Sequence, residues 1–284
     1  MAIAAKDLED IIAFITAETG IIPRESHKVG IASYLEEVLE SLQKGVKVSA
    51  AVNCSAFLKD YFLHDRNAMV ALINKATVNE TYFFREEKQF DLLKNVIFPE
   101  LLKTSRWLNI WSAAASSGEE IYSLALLAHS LNIRADYTAS DINTIVLQKL
   151  KNGIFGANSI RSMDGAKYHY LLEPYKTKDG TYRLSPELVG SVITKVMNLA
   201  DLAKDVIPES LPRHQHVIFI RNVFIYFSLE MRAKILSALA KHCLAPGGCI
   251  FVSMSEIASI ENRIIPPELE RVMSENVFYF HKKA

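Results

Sequence analysis

Residues 108 to 131 read LNIWSAAASSGEEIYSLALLAHSL. Leu108 to Ala114 form an apolar run of strand length, Ala115 to Gly118 are small, and Glu119 to Leu131 have the length and composition of a helix. In a strand-to-helix loop of this kind, small residues let the backbone approach a ligand. Gly118 can also take a backbone conformation denied to other residues. An ordinary turn would look the same, so the reading depends on what surrounds it.

Outward from this unit the pattern repeats. The helical segment FDLLKNVIFPELLK precedes it, and strand ADYTASD and helix NTIVLQKLKNG follow it. Further on come strand VIFIRN, helix SLEMRAKILSALAKHCL, the turn APGG and strand CIFVSMS. Strands alternating with helices predict an α/β fold with an open, mostly parallel, doubly wound sheet, which binds ligands at the carboxyl ends of its strands. The segment from Tyr168 to about Val196 departs from the pattern. Its short β-prone runs around Asp179 and Gly180 predict a small antiparallel β-subdomain inserted into the larger fold.

Residues 1 to about 78 read as a separate helical domain. Asp7 is a candidate cap for a run whose apolar face is Ile11, Ile12, Phe14 and Ile15. Ser33 is a candidate cap for SYLEEVLESLQKG, ended by Gly45, and short helices fit AAVNCSAFLKDYFLH and RNAMVALINKA. The expected domains are therefore 1–78, helical, and 79–284, carrying the sheet.

Composition narrows the function. Half the residues are hydrophobic, enough for a sizeable core, while no apolar run approaches the roughly 20 residues of a membrane helix. The start MAIAAKDLED lacks a basic and an apolar leader region, so a cytoplasmic location without membrane insertion is expected. Lys plus Arg and Asp plus Glu number 32 each, and no basic stretch is interleaved with aromatics, which speaks against nucleic acid. Cys54, Cys243 and Cys249 show no ligand spacing, and no metal is expected.

Asp141 ends the second strand 23 residues after Gly118, where an acid can accept hydrogen bonds from both hydroxyls of a ribose. The loop is not GxGxxG and holds no lysine, which disfavours dinucleotide and P-loop ligands. A nucleoside without pyrophosphate remains, S-adenosylmethionine being the obvious candidate. Arg221 and Asn222 end another strand on the same edge, Tyr226 follows, and Asn198 in VMNLAD is either a turn residue or an adenine-side contact.

One more stretch, NETYFFREEKQF from Asn79 to Phe90, fits neither a helical stripe nor strand alternation. Together with WSAAASSGEEIYSLAL, ASDINTIVLQKLKNGIF, FIRNVFIYF and LAPGGCIFVSMSEIAS, it occurs in the order and rough spacing of CheR-type protein-glutamate O-methyltransferases, which act on chemotaxis receptors. The chain resembles that family from Asn79 to its C terminus, and the first 78 residues are similar to the family's N-terminal domain. The resemblance implies a class I S-adenosylmethionine-dependent methyltransferase, with S-adenosylhomocysteine as product. By it, Asn79, Thr81, Arg85, Glu120, Asp141, Asn198, Leu199, Arg221 and Asn222 would contact the cofactor, and Arg85 and Tyr226 would serve the reaction. Tyr82, Phe83 and Phe84 would pack the seam between domains and shield the sulfonium by cation–π attraction, core packing being the alternative.

The implied partner is an acidic helical segment of a chemoreceptor or related signalling protein. Two departures qualify it. The family's N-terminal domain usually presents an arginine-rich helix, whereas here Glu36, Glu37 and Glu40 stand there, and residues 1–78 carry eight Lys and Arg against ten Asp and Glu, a net of −2. Met254 occupies a position where the family commonly has histidine, and the Tyr168–Val196 segment lacks a GxG turn, so docking of a receptor tail peptide is not expected. A regulatory module that binds S-adenosylmethionine without turnover, or the same fold acting on another acidic substrate, are the competing readings.

Overall fold

In a computed structural model, which describes residues 3–43, 54–204 and 208–283, apolar residues at helical spacing become the buried faces of four helices. In α1 (Ala5–Thr19), Ile11, Ile15 and Thr19 lie one above the other, and Gly20, left-handed at φ 73°, donates its N–H to the Thr16 carbonyl to end the helix. Helices α2 (Glu25–Gln43), α3 (Cys54–His64) and α4 (Arg66–Ala76) contribute Ile31, Leu35, Leu58, Phe62 and Leu72 to the same core. Asp7 does not cap α1. It sits inside the first turn and accepts from the Ser55 N–H, at the start of α3. Ser33 likewise lies inside α2, which starts eight residues earlier at Glu25; Gly45 falls outside the described residues. Glu37 and Glu40 are exposed on α2, while Glu36 is half-buried and accepts from the Ile3 N–H.

Contacts divide the chain into two compact units, Met1–Val78 and Asn79–Ala284. In the second, α5 (Glu87–Leu92) passes through a π-helical turn (Leu93–Ile97) into α6 (Phe98–Leu101), where sequence suggested one regular helix. There follow β1 (Leu108–Ala113), α7 (Glu119–Ser130), β2 (Ala135–Asp141), α8 (Thr144–Asn152) and the short β3 (Ile154–Phe155). Next come β4 (Tyr182–Arg183), α9 (Pro186–Gly190), β5 (Val192–Val196), β6 (Gln215–Phe219), α10 (Leu229–Ala238) and β7 (Leu244–Phe251). The chain closes with α11 (Met254–Ile257), β8 (Leu269–Ser274) and β9 (Val277–Lys282).

Seven strands form one sheet in the order β5-β2-β1-β6-β7-β9-β8. The first five run parallel, and β9 pairs antiparallel with both β7 and β8. This is the doubly wound sheet expected from the alternation of strands and helices. From β1 the chain winds outward through β2 to β5, then returns to the other side of β1 as β6, so the strand order reverses between β1 and β6. In open α/β sheets such a reversal is where ligands bind, outside the carboxyl ends of the strands. Among the described residues, no helix is long and apolar enough to cross a membrane.

The inserted segment is smaller than expected. Val192–Val196 is the edge strand of the main sheet, paired parallel with β2 from Tyr137↔Val192 to Asp141↔Val196. The antiparallel piece is β3 with β4, extended by a bridge between Lys176 and Tyr182 across the turn that holds Asp179 and Gly180. It therefore starts at Ile154, before Tyr168. The β8–β9 hairpin, absent from the sequence expectations, turns through Glu275 and Asn276, both left-handed, in the sense that matches strand twist.

Candidate active site

Backbone strain collects where the strand ends meet. Nine described residues other than glycine have φ in the left-handed region, and five of them, Phe84, Glu86, Ala114, Ser116 and Asn222, lie in the segments assigned to the site from sequence. Such conformations persist only where surrounding structure over-determines them.

The loop after β1 is held from below by β2. Ala114 and Ala115 both donate to the Ser140 carbonyl, at 2.8 and 2.9 Å, and Ser116 donates its N–H to Asp141 Oδ2 at 2.8 Å. Asp141 Oδ1 accepts from the Asn143 N–H at 2.8 Å. Burial pushes the Asp141 carboxyl above its ordinary range, opposed by the N–H groups of Asn143, Ser116 and Ile142. Three backbone N–H groups thus converge on this carboxylate, Ser116 at Oδ2 and Asn143 at Oδ1 among them, and its oxygens retain lone-pair capacity for a further donor. Ser116 Oγ donates to the Asn79 carbonyl at 3.4 Å, which ties the NETYFFR segment to this loop. Gly118 is left-handed at φ 100°, and a Cβ there would meet Leu150 Cγ at 2.5 Å. The left-handed backbone and the packing of α7 on α8 both demand glycine there.

A buried ion pair joins α7 to the end of β6. Arg221 donates from Nε to Glu120 Oε2 at 2.7 Å, and Ser112 Oγ donates to Glu120 Oε1 at 2.6 Å. The remaining reach of the guanidinium goes from Nη1 to the Arg85 carbonyl at 2.7 Å and to Gln89 Oε1 at 3.1 Å, over the rings of Phe219 and Phe90. Burial works against the Arg221 charge, but Glu120 and then Glu86 raise its pKa above the ordinary value. Asn222 follows in the left-handed region and donates its N–H to Glu256 Oε2 at 2.7 Å; Glu256 Oε1 takes the Ile225 N–H at 3.2 Å. Glu256 thereby fixes the turn Phe224–Tyr226 that carries Tyr226.

The aromatics of the opening segment divide. Phe83 and Phe84 are fully buried in the core of the second unit, edge-on to Phe155 and Phe90 respectively, with Phe84 stacked on Tyr168. They are core residues of that unit, the alternative reading of these aromatics. Tyr82 is half-buried beneath Arg85 and Arg161, and its phenol donates to Asp164 Oδ2 at 2.8 Å. Burial, then that hydrogen bond, pushes its pKa up to about 12. Arg85 turns its guanidinium back to the Glu80 carbonyl at 3.2 Å. Asn198 accepts the Ala200 N–H to start a short turn that buries Leu199; just before it, Met197 donates its N–H to the Asp141 carbonyl.

Sequence reasoning missed Ser112, Gln89, Glu86, Asp164 and Glu256, whose side chains hold the expected residues or their backbone. Only Asp164–Gly165 carried a signal, as a D-G turn dipeptide. A serine–histidine pair elsewhere is not a nucleophile and base. His216 Nδ1 accepts from the Asn109 N–H at 2.9 Å, so the ring proton sits on Nε2 and is donated to Ser105 Oγ.

Residues 79–273 match the family described as CheR methyltransferase, SAM binding domain. The chain belongs to the CheR methyltransferase family. Relatives agree with that membership. A chemotaxis protein methyltransferase of Vibrio parahaemolyticus is 27% identical over 265 residues, 90% of each chain. One of Borreliella burgdorferi is 31% identical over 248 residues, 81% of each, and chemotaxis protein methyltransferase 2 of Vibrio cholerae is 36% identical over 204 residues, 67% of each. The site residues suit the family's cofactor, S-adenosylmethionine. A buried carboxylate with spare lone pairs, asparagine amides and no lysine suit hydroxyls, an amine and a sulfonium rather than a phosphate.

Proposed function

We propose that this chain transfers the methyl group of S-adenosylmethionine to glutamate side chains of a chemoreceptor or related signalling protein, giving methyl esters. The observation that carries the reading is the junction of Asp141, the strained loop after β1 and the Arg221-anchored NETYFFR segment at the point where strand order reverses. Bound S-adenosylmethionine supplies an electrophilic methyl carbon on a sulfonium. Asp141 would hold the ribose, while Asn79, Thr81, Asn198, Leu199 and Asn222 would line the remainder. Glu120 already accepts from Ser112 and Arg221, so its part is to fix the floor of the site and offer its remaining lone pairs. Arg221, buried with Glu120, then acts through its neighbours.

The acceptor glutamate is ionised at neutral pH and needs no general base. Positioning and exclusion of water are the main contributions left to the protein. Arg85 spends its guanidinium on one backbone carbonyl and a ring contact, an arrangement readily exchanged for a carboxylate, which it can orient bidentately. Tyr226 would donate to the other carboxylate oxygen. The exposed Glu37 and Glu40 on α2 would repel a purely acidic segment, so the substrate presents its glutamate in a mixed or basic context, without a tethered tail peptide.

Single-turnover transfer at saturating cofactor tests the roles. Tyr226→Phe should lower the rate by about 10- to 100-fold, the loss of a hydrogen bond to a charged group. Arg85→Lys should cost more, because lysine lacks the planar fork. Wild-type rates in both folded variants would refute the assignment. A wild type that binds the cofactor yet methylates no protein would favour the regulatory module.

A further inference from the structure

Asp164 lies outside every segment assigned to the site, between β3 and the short helical turn Ala166–Leu171, yet its carboxylate bonds to the segment around Arg85. Its Oδ2 accepts from the Glu86 N–H at 2.7 Å and the Tyr82 hydroxyl at 2.8 Å, and its Oδ1 accepts from the Glu87 N–H at 3.1 Å. The side chain of Glu86, at the N-cap of α5, makes no cap bond of its own. Asp164 supplies the missing acceptor from 78 residues away in the chain.

Arg85 stands between two residues in the left-handed region, Phe84 at φ 55° and Glu86 at φ 59°. The same stretch of chain holds both sides of this turn. Ser159 accepts the Phe83 N–H at 2.9 Å, and Gly165 lies so close beneath that a Cβ would meet the Phe83 carbonyl at 2.7 Å and Phe84 Cβ at 2.9 Å. From the other side, Arg221 holds the Arg85 carbonyl. Arg221 and Asp164 therefore grip the same Arg85–Glu86 peptide, one at its carbonyl and the other at its N–H, and so set the direction in which Arg85 leaves the backbone. A bare turn residue would bond within its own turn; Asp164 bonds across to this one.

We infer that Asp164 is a positioning residue for methyl transfer, holding the strained Tyr82–Glu87 turn so that Arg85 is aimed at the acceptor carboxylate. The inference rests on the proposed function. Asp164 keeps its negative charge for this task. Although burial opposes ionisation, the N–H groups of Glu86 and Glu87 and the Tyr82 hydroxyl lower its carboxyl below the usual range.

The test is a double-mutant cycle in single-turnover transfer. Asp164→Ala should lower the transfer rate roughly tenfold or more, as expected for a misplaced orienting group. Asp164→Asn, which keeps one acceptor oxygen, should recover part of it. In an Arg85→Lys background, Asp164→Ala should cost little further, because the group it aims is gone. Thermal melts check folding, and Tyr82→Phe, which removes one of the three bonds, covers the case in which Asp164→Ala does not fold and should show a smaller loss of rate. Losses that simply multiply, or a lowered melting temperature with an unchanged rate, would overturn the inference. Should the wild type transfer no methyl group, the proposed function fails separately. Calorimetric binding of S-adenosylhomocysteine then decides on Asp164: weaker binding in Asp164→Ala supports its hold on the segment bearing Asn79 and Thr81, and equal binding refutes it.

Discussion

Glu120 and Arg221 lie 101 residues apart and meet in a part of the protein closed to solvent. Removing one partner of such a pair leaves a charge buried without compensation, a loss of about 3 to 5 kcal/mol. Glu120→Ala should therefore lower stability toward that range in urea unfolding, with Glu86, at 3.7 Å from Arg221, softening the loss. Glu120→Gln, whose oxygen still accepts from Arg221, should lose less. Equal, small losses in both variants would mean that the pair adds nothing to the fold. Sequence points to Arg221 by its place at a strand end and to Glu120 only through the family resemblance. Their pairing was not legible, since no local pattern links a helix start to a strand end so far away. The same distance hid Asp164, Gln89 and Glu256, whose side chains serve the backbone of other segments.

Elements were most legible where periodicity was strong. The alternation through β1, α7, β2 and α8 gave boundaries within a residue or two, and RNAMVALINKA matches α4 residue for residue. Boundaries failed where tertiary contacts outweigh local preference. Asp7 looks like a cap because it precedes an apolar run, yet its carboxylate is used by another helix. Val192–Val196 looks like part of a local hairpin, yet it completes the parallel sheet beside β2. Gly118, expected to take a backbone conformation denied to other residues, does so at φ 100°, and Leu150 of α8 fills the space where a side chain would go. Gly118→Ala should destabilise by roughly 1 to 3 kcal/mol, from the left-handed backbone and the overlap together. Leu150→Ala removes the overlap but not the backbone strain, so the double variant should be more stable than the two single losses sum to, by at least about 0.5 kcal/mol. Strict additivity in urea unfolding would show that α8 gives way without cost.

Across the whole molecule, winding order decides where chemistry can occur. The chain passes from β1 out to β5 and returns as β6, and that reversal brings the ends of β1, β2 and β6 side by side, with the Asn79–Arg85 segment tied to them through Ser116 and Arg221. The family, the doubly wound sheet and the cofactor class were readable from motif order, because each motif spans a strand end and its loop. The partner was less so, since α2 departs from the family pattern in charge. The central claim is methyl transfer to carboxylates, and the most direct measurement follows the methyl group itself. Incubated with S-adenosylmethionine labelled in the methyl group and with membranes carrying chemoreceptors from its own source, the protein should place label on a receptor-sized protein, and mild base should release that label as volatile methanol. Label that survives base, or its absence from every protein while the cofactor binds, would contradict the account.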